Sequence, residues 1–325
     1  MDKPIVVVSR KPPASLAKLY EHCNVWEWEE DRPIPRGLLL EKIRDAEGIF
    51  TMIPDQIDGE FLAAAPKLRT VCTMAVGVDN IDVPGCTARG IPVGYAPRAV
   101  TEATADLSFC LILALSRRIL ESAEFVAAGK WEAWSPSLMI SNDVFGKTLG
   151  VFGMGRIGQA VSRRARGFDM TVIYHDVVRN PDAEQALGVA YRSFDDLLAE
   201  ADILTIHAPF TPETRHIFNA AALSKMKPGA FLVNAARGGL VHTEALYDAL
   251  RNGVIKGAAL DVTDPEPIEP ASPLISLPNC IIVPHVGTST WETRAVMTDV
   301  TIDNLINALN GETMIDCFNL EALKG

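Results

Sequence analysis

Short runs of apolar, often β-branched residues alternate with helical stretches from one end of the chain to the other. This alternation is typical of α/β domains that are built on a parallel sheet. In the first hundred residues each apolar run is followed by proline, glycine or aspartate, which mark turns. The pattern there predicts four strands: Ile5–Val8, Gly48–Ile53, Leu68–Thr73 and Ile91–Tyr95.

A mostly apolar stretch follows these strands and predicts one long helix. It runs from Thr101 to Ala128 and ends at Gly129, a residue type that commonly terminates helices. About 28 residues at 1.5 Å each would give a length of roughly 42 Å, enough to run from one domain into another. We therefore expect a domain boundary near the start of this helix.

A second α/β series occupies most of the remaining chain, from about residue 148. Thr243 is predicted to cap a helix that ends before Gly253. The capping-box spacing from Ser289 to Glu292 predicts a final helix that ends near Leu309. The strands predicted in this series are Leu149–Phe152, Met170–Tyr174, Ile203–His207, Ala230–Asn234, Gly257–Asp261 and Cys280–Val283.

The composition is that of an ordinary soluble globular chain, with 48% hydrophobic and 22% charged residues. These proportions exclude disorder and a collagen-like fibre. Because 325 residues exceed what one small core needs, we expect about two domains. The formal net charge of −11 repels phosphate backbones and anionic lipid, so nucleic acid and membrane surfaces are poor candidates for partners.

The sequence pattern predicts neither a membrane span nor a secretory signal nor a metal site. The longest apolar stretch, Leu107–Leu115, is far shorter than the roughly 18 to 20 residues of a span. The apolar run Ile5–Val8 lacks the length and the cleavage site of a secretory signal. The six cysteines are scattered without a C-x-x-C pair, which predicts reduced thiols in a cytoplasmic protein.

A glycine-rich motif follows the predicted strand Leu149–Phe152 directly and opens a helix. The motif is Gly153-Met154-Gly155-Arg156-Ile157-Gly158, which has the spacing G-x-G-x-x-G. In this context Gly153 allows a tight turn, Gly155 lets the backbone approach a pyrophosphate, and Gly158 lets the helix pack on the strand. The pyrophosphate would bind to the free N–H groups at the positive end of the helix.

An acidic residue stands where a dinucleotide site requires one. Asp176 lies 18 residues after Gly158, at the end of the next predicted strand. A carboxylate there accepts hydrogen bonds from the adenosine ribose hydroxyls and repels a 2′-phosphate, so NAD is favoured over NADP. NADP remains possible because the nearby Arg179 could pair with that phosphate.

Four further motifs surround the glycine motif in a fixed order. They are Val76-Gly77-Val78-Asp79-Asn80, Asn234-Ala235-Ala236-Arg237-Gly238-Gly239, Leu260-Asp261-Val262-Thr263-Asp264-Pro265-Glu266-Pro267 and Pro284-His285-Val286-Gly287. With the glycine motif they closely resemble the D-2-hydroxyacid dehydrogenase family, in its glyoxylate/hydroxypyruvate reductase branch. The resemblance covers nearly the whole chain. It implies two doubly wound, parallel-sheet, Rossmann-like α/β domains, with an NAD(P)-binding domain at 101–287 inserted into a substrate domain made of 1–100 and 288–325.

By this resemblance Arg237, Glu266 and His285 match the catalytic residues of the family. The guanidinium of Arg237 can grip the carboxylate of a 2-oxo acid. The imidazolium of His285 can give a proton to the carbonyl oxygen, and Glu266 would favour that charged form. Each residue also has a plain structural interpretation: a surface arginine, an exposed loop acid and a structural histidine.

The resemblance assigns further residues to the substrate, the coenzyme and a partner subunit. The backbone of Val76 and Gly77 would bind the substrate carboxylate, and Trp134 would reach the pocket of a partner subunit or pack in the dimer interface. Asp261 would accept a hydrogen bond from the nicotinamide carboxamide. Arg98 departs from the family pattern, which commonly has a small or uncharged residue at this position, and it would either add a positive charge near the pocket or point to solvent. The coenzyme-binding set is Thr104, Gly153, Gly155, Arg156, Ile157, Gly158, Asp176, His207, Ala208, Pro209, Ala235, Asp261 and Gly287.

The remaining histidines receive no functional role from the sequence. His207 follows a strand end, and both a coenzyme-binding and a structural role stay open for it. His22, His175, His216 and His242 lack a paired acid in their sequence context and are predicted to be surface or helix residues.

The resemblance implies an enzyme that reduces a small 2-oxo acid with NAD(P)H to the D-2-hydroxy acid, working as a homodimer. Glyoxylate and hydroxypyruvate are the expected substrates. Two alternatives stay open. One is a phosphoglycerate-dehydrogenase-like enzyme with the same chemistry on another acid. The other is a non-enzymatic NAD(H)-sensing protein like the C-terminal-binding-protein corepressors.

Overall fold

The computed structural model of the chain describes residues 3–323. The chain divides into two compact units, Met1–Val100 with Thr288–Gly325, and Thr101–Gly287. Each unit contains a parallel β-sheet flanked by helices, so the predicted α/β, Rossmann-like fold class is confirmed. Among the helices of residues 3–323, none is both long enough and apolar enough to cross a membrane.

The described part of the first unit, residues 3–100 and 288–323, holds a five-stranded parallel sheet with the strand order β2-β1-β3-β4-β5. The strands are β1 (Ile5–Val8), β2 (Asn24–Glu27), β3 (Gly48–Thr51), β4 (Thr70–Thr73) and β5 (Val93–Gly94). The helices are α1 (Ala17–His22), α2 (Arg36–Lys42), α3 (Gly59–Ala64), α4 (Val83–Ala88) and, numbered last because it comes last in the chain, α12 (Trp291–Leu309).

The sequence pattern missed β2 and overestimated the length of three strands in this unit. β2 pairs only with β1 and is at most half-buried, so its residues give no continuous apolar run. The last predicted strand, Ile91–Tyr95, is reduced to the two residues of β5. Pro92 has no N–H to donate to the sheet, and the N–H of Tyr95 donates to the carbonyl of Asp316 instead of to a neighbouring strand. Phe318 in the closing segment donates to the carbonyl of Val93, so this segment packs against the first sheet.

The final helix packs on the first sheet, and glycine makes the close approach possible. A Cβ on Gly48 of β3 would lie 3.2 Å from the Leu305 side chain of α12. The predicted start of this helix needs a correction. The capping residue is Thr290, whose hydroxyl accepts from the N–H of Thr293 at 3.1 Å, and not Ser289.

The second unit, described throughout residues 101–287, holds a seven-stranded parallel sheet with the order β12-β11-β10-β9-β6-β7-β8. The strands are β6 (Thr148–Phe152), β7 (Thr171–His175), β8 (Ala190–Tyr191), β9 (Ile203–Ile206), β10 (Phe231–Asn234), β11 (Gly257–Leu260) and β12 (Cys280–Ile282). The helices are α5 (Thr101–Ser116), α6 (Ile119–Ala127), α7 (Arg156–Ala165), α8 (Pro181–Leu187), α9 (Phe194–Glu200), α10 (Ala220–Leu223) and α11 (Thr243–Arg251). All six predicted strands are present, and β8 is too short to produce a sequence signal.

The single long helix predicted from Thr101 to Ala128 is wrong. The structure has α5 and α6, separated at Arg118, whose φ of 52° lies in the left-handed region. Contacts from elsewhere in the chain cause the break. The N–H of Asn142 bonds to the carbonyl of Ser116 at 3.0 Å, and the guanidinium of Arg118 donates to the carbonyl of Ile140 at 3.1 Å. The apolar composition of residues 101–128 gives no indication of these contacts.

The predicted cap of α11 is also wrong. The capping side chain is His242, whose Nδ1 accepts from the N–H of Ala245 at 3.3 Å. Thr243 is the first residue of the helix, and its hydroxyl instead donates to the carbonyl of Asp264 at 2.7 Å. Gly253 follows the helix with a φ of 69°, as its predicted role at the helix end requires.

Candidate active site

The three predicted catalytic residues lie on loops that follow three neighbouring strands. Arg237 follows β10, Glu266 follows β11 and His285 follows β12. Since these strands are adjacent and parallel, their carboxyl ends meet at one edge of the sheet, where open α/β sheets bind ligands. The fold of the second unit alone therefore brings the three loops to the same edge.

His285 and Glu266 are in direct contact. Nδ1 of His285 lies 2.5 Å from Oε1 of Glu266, and the two side chains are 29% and 37% exposed. His285 has a φ of 54°, uncommon for a residue with a side chain, and its N–H donates to the carbonyl of Asp261 at 2.9 Å. The backbone thus holds an unfavourable conformation that aims the ring at the carboxylate.

The charge state of Glu266 determines which nitrogen of His285 is available for chemistry. Burial raises the pKa of Glu266, but the hydrogen bond and charge of His285 outweigh it, and the charge of Arg237 adds to the lowering. The pKa of Glu266 therefore lies below its ordinary value, so the carboxylate is ionised at neutral pH. An ionised carboxylate only accepts hydrogen bonds, which assigns the proton on this contact to Nδ1 and leaves Nε2 of His285 for a substrate.

The loop of Arg237 is fixed by a buried side chain and by a glycine. The amide of Asn234, fully buried at the end of β10, donates to the carbonyl of Arg237 at 2.9 Å and accepts from the N–H of Ala236 at 3.1 Å. Gly238 lies so close to the Glu266 loop that a Cβ there would be 1.9 Å from the carbonyl oxygen of Thr263. The arginine loop and the glutamate loop are therefore in contact, and only glycine fits between them.

Asp261 holds the turn that carries His285. Its side chain is 2% exposed and accepts from the N–H of Val286 at 2.7 Å and of Gly287 at 2.9 Å. Burial raises the pKa of Asp261, and the two N–H donors oppose that rise. Thr104 lies beside the same turn, since a Cβ on Gly287 would be 3.5 Å from the hydroxyl of Thr104. The sequence did not predict this structural role, and the predicted bond from Asp261 to a carboxamide stays a prediction.

The three glycines of the G-x-G-x-x-G motif meet three different requirements. Gly153 has a φ of 97°, and a Cβ there would be 2.6 Å from the N of Ala208. A Cβ on Gly158 would be 2.1 Å from the carbonyl oxygen of Gly153, so the helix packs tightly on the turn. A Cβ on Gly155, at the start of α7, would have no atom of the described residues within 4 Å other than those of its chain neighbours. This open cradle at the positive amino end of α7 fits a pyrophosphate.

Two polar side chains flank this cradle. Asp176, half-exposed after β7, accepts from the N–H of Met154 at 2.7 Å. His207 has its Nε2 2.8 Å from the hydroxyl of Thr205, and burial lowers the pKa of His207 to about 3, so the ring is neutral. Its buried Nδ1 has no hydrogen-bond partner among residues 3–323. An unpaired polar atom beside the Gly153 turn also fits a bound dinucleotide.

The other predicted coenzyme residues lie on the same sheet edge or on α7. Ala208 and Pro209 continue the loop after β9, and Ala235 is buried directly after β10. Arg156 and Ile157 form the first turn of α7.

The predicted substrate loop of the first unit follows β4. Val76 is exposed and Gly77 half-buried. Sequence reasoning missed how this loop is braced: the amide of Asn80 donates to the carbonyls of Met52 at 3.1 Å and Asp55 at 2.7 Å. Asn80 ends the motif that begins at Val76, which is the one sequence signal that could have identified it.

Asp55 fixes the neighbouring loop, which follows β3. Its buried carboxylate accepts from the hydroxyl of Ser9, from the hydroxyl of Thr51 at 2.8 Å and from the N–H of Met52 at 2.8 Å. The loops after β3 and β4 are therefore tied together at the carboxyl edge of the first sheet.

Two arginines for which the sequence left alternatives open are engaged in ion pairs. Arg98 donates to Asp316 at 2.7 Å, and its side chain is 66% exposed, which favours the solvent-facing interpretation. Arg179 forms a bidentate pair with Glu184 at 2.7 and 2.8 Å.

Two histidine predictions need correction. Nε2 of His216 lies 3.3 Å from Oδ2 of Asp264, so His216 does have a paired acid, 48 residues away in the chain. His175 is neither a surface nor a helix residue: it ends β7, is half-buried and stacks on Phe152. Within residues 3–323 no cluster of three or more histidine, cysteine or acidic side chains could hold a metal ion.

Known proteins resemble this chain over nearly all of its length. A family model described as "D-isomer specific 2-hydroxyacid dehydrogenase, NAD binding domain" matches residues 109–287. Glyoxylate reductases of Korarchaeum cryptofilum and Thermococcus kodakarensis are each 44% identical over 99% of this chain and 98% of their own.

Solved structures are similar over the same extent. A protein of Thermus thermophilus superposes with a TM-score of 0.90 at 42% identity, covering 97% of this chain and 99% of the other. A glyoxylate reductase of Paecilomyes thermophila gives 0.87 at 32% identity, covering 98% and 99%. An NADPH-dependent glyoxylate/hydroxypyruvate reductase of Sinorhizobium meliloti, in complex with NADP and malonate, gives 0.85 at 30% identity, covering 99% and 98%. The chain belongs to the D-isomer specific 2-hydroxyacid dehydrogenases, a family of NAD(P)-dependent oxidoreductases.

Proposed function

We propose that the protein reduces glyoxylate and hydroxypyruvate to the corresponding 2-hydroxy acids, the D-enantiomer in the case of hydroxypyruvate, with NADH as the preferred coenzyme. The observation that carries the proposal is the 2.5 Å contact between His285 and Glu266 on a loop that touches the loop of Arg237. These are an acid–base group, its charged partner and a carboxylate-binding cation at one sheet edge. The names of the relatives point to the same substrates.

The proposed chemistry needs one proton and one hydride. When bound, NADH would provide the hydride that the carbonyl carbon of the 2-oxo acid accepts. His285 acts as the imidazolium and gives the proton on Nε2 to the carbonyl oxygen, which completes the hydroxyl group and leaves a neutral ring. Glu266 stabilises the charged ring before the transfer and keeps Nδ1 protonated throughout. In the oxidative direction the neutral ring takes the proton back.

Binding of the substrate carboxylate is assigned to Arg237 and to the backbone N–H groups of Val76 and Gly77. The planar guanidinium of Arg237 can bind the carboxylate, or the carboxylate and the carbonyl oxygen together. The hydrogen bonds of Asn234 hold the backbone of the Arg237 loop in place. A lysine at position 237 would lack the fork, so we expect it to weaken substrate binding.

The preference for NADH rests on Asp176 and on the partner of Arg179. The half-exposed carboxylate of Asp176 would accept from the ribose hydroxyls and repel a 2′-phosphate. The charge of Arg179 is balanced by Glu184, which makes it a poor phosphate ligand. The remaining residues proposed to hold the coenzyme are Thr104, Gly153, Gly155, Arg156, Ile157, Gly158, His207, Ala208, Pro209, Ala235, Asp261 and Gly287.

We further propose that the protein is a cytoplasmic homodimer in which Trp134 lies in the subunit interface or reaches the pocket of the partner subunit. Its side chain is 81% exposed. It belongs to a segment rich in exposed apolar side chains, which a second copy would cover. These side chains are Ile119, Leu120, Val126, Trp131, Trp134, Leu138, Ile140 and Phe145.

The function is tested by NADH oxidation with a panel of 2-oxo acids: glyoxylate, hydroxypyruvate, 3-phosphohydroxypyruvate and pyruvate. We expect the highest kcat/KM with glyoxylate or hydroxypyruvate, and a lower value when NADPH replaces NADH. A preference for the phosphorylated acid would indicate a phosphoglycerate-dehydrogenase-like enzyme. Coenzyme binding without turnover of any acid would indicate an NAD(H)-sensing protein.

A further inference from the structure

The loop that carries Glu266 is held from outside the catalytic set by Thr243. The hydroxyl of Thr243, on the first turn of α11, donates to the carbonyl of Asp264 at 2.7 Å. Asp264 stands two residues before Glu266. The bond therefore fixes the backbone of the glutamate loop to the start of a helix that contributes no residue to the catalytic set.

The side chain of Asp264 is held as well. Oδ2 of Asp264 lies 3.3 Å from Nε2 of His216, and the N–H of His216 donates to the carbonyl of Gly239 at 2.8 Å. The ring of His216 packs edge-on against His242, the cap of α11, with 4.9 Å between the ring centroids. His216, His242, Thr243 and Asp264 thus form one anchor cluster.

Two hydrogen bonds of Thr263, the residue before Asp264, connect the anchor cluster to Glu266 and so to its contact with His285. The hydroxyl of Thr263 donates to the carbonyl of Pro265 at 2.8 Å, and the N–H of Thr263 lies 3.3 Å from Oε2 of Glu266. Gly238, beside Arg237, leaves no room for a Cβ against Thr263. A displacement of Asp264 would therefore move the carboxylate of Glu266 and press on the loop of Arg237.

We propose that Thr243 and His216 are positioning residues for the reduction: they hold Asp264, and through it they keep the carboxylate of Glu266 in contact with His285. The inference rests on the proposed function. The charged groups that act on His285 from the loops packed around it are Glu266 and Asp261, while Arg237 acts on Glu266. Loss of the 2.5 Å contact with Glu266 would remove a hydrogen-bonded countercharge from the imidazolium, the form that reduction requires.

The test compares Thr243→Val, which keeps the shape and removes the hydroxyl, with Thr243→Ser, which keeps the hydroxyl. For Thr243→Val we expect kcat with glyoxylate to fall by about tenfold, a fraction of what general acid catalysis contributes. The pH profile of kcat/KM should change, and the NMR signal of the proton between Nδ1 of His285 and Glu266 should move from its wild-type position in the coenzyme-free protein. Thr243→Ser should restore both, and the NADH Kd should be unchanged in both variants.

A matched control removes a hydroxyl of the same kind at another helix. Ser224 donates to the carbonyl of Ala221 at 2.8 Å, and Ser224→Ala should leave the pH profile and the NMR signal of the His285–Glu266 contact as in the wild type. His216→Asn provides a second variant, because asparagine tolerates the left-handed φ of 50° but is too short to reach Asp264. It should shift the same two readouts as Thr243→Val.

The inference is overturned if Thr243→Val and His216→Asn lower only the Tm while the pH profile and the NMR signal of the His285–Glu266 contact stay as in the wild type. Failure of the proposed function would look different: the wild-type protein itself would show no oxidation of NADH with any 2-oxo acid, and the inference would fall with it.

Discussion

At the scale of single residues, the charged side chains of the second unit are held by specific partners. Glu266 faces His285, Asp261 accepts from backbone N–H groups, and Arg179 is paired with Glu184. Each carboxylate gains its stabilisation from a specific donor rather than from solvent. Their protonation therefore has consequences that a titration can detect.

The pairing of Glu184 predicts a pH-dependent contribution to stability. Hydrogen bonds from Arg179 and Tyr174 lower the pKa of Glu184 from 4.5 to about 2. A carboxylate with a lowered pKa in the folded state stabilises the protein above the pKa of the unfolded state, and this stabilisation disappears as the pH falls through the folded pKa. The loss should therefore occur between about pH 4.5 and pH 2.

Urea unfolding of the wild type and of Glu184→Gln, measured at pH 7, 4.5 and 3, checks this prediction. The difference in unfolding free energy should be largest at pH 7 and should shrink towards pH 3. A difference that stays constant across this range would show that Glu184 contributes by shape and not by charge.

Residue types at strand ends could be predicted, whereas contacts distant in sequence could not. Arg237, Glu266 and His285 follow strands that the sequence pattern located, so their meeting at one sheet edge follows from the parallel topology. The pair of His216 with Asp264 escaped prediction because its residues lie far apart in the chain and neither carries a local signal.

At the scale of secondary-structure elements, the turn between β6 and α7 contains two glycines that are needed for different reasons, one for the fold and one for the proposed coenzyme site. Gly153 needs its positive φ and touches Ala208, so Gly153→Ala should cost about 2 kcal/mol or more of stability through strain and collision. Gly155 has an ordinary negative φ and open space beside it, so Gly155→Ala should fold normally. Its added methyl group would occupy the space proposed for the pyrophosphate.

Thermal unfolding and NADH fluorescence titration distinguish the two variants. Gly153→Ala should lower the Tm strongly, and Gly155→Ala should keep a near wild-type Tm while the NADH Kd rises by about tenfold or more, the equivalent of about 1.4 kcal/mol. Equal losses of Tm, or an unchanged NADH Kd for Gly155→Ala, would contradict the proposed coenzyme site.

Element boundaries show where the sequence pattern stops being informative. β6, β9, β10 and β11 lie within a residue of their predicted bounds, because buried parallel strands are continuous apolar runs. The break at Arg118 could not be predicted, since it depends on the N–H of Asn142 competing for the carbonyl of Ser116. The composition of a helix reflects local conformational preference and does not reveal contacts with residues that are distant in the chain.

At the scale of the whole molecule, the exposed apolar segment at residues 119–145 predicts self-association. Ile140 and Phe145 are each 67% exposed. A double variant, Ile140→Glu with Phe145→Glu, should convert the predicted dimer to a monomer, because the charges would be buried against a second copy. Ile275→Glu replaces an apolar side chain that is 51% exposed outside this segment and serves as the control.

Light scattering coupled to size-exclusion chromatography gives the mass of each form. The wild type and Ile275→Glu should have twice the mass of one chain, and the double variant the mass of a single chain. A wild type that elutes as a monomer would contradict the proposed homodimer, and so would a double variant that remains dimeric.

The turnover of His285→Gln tests the role of His285 as the proton donor. Glutamine can keep a hydrogen bond to Glu266 but cannot transfer a proton as an imidazolium does. We predict that kcat for glyoxylate reduction falls by about two to four orders of magnitude, while the NADH Kd stays at the wild-type value. A variant that binds NADH and reduces glyoxylate at the wild-type rate would contradict the assignment of His285 as the proton donor.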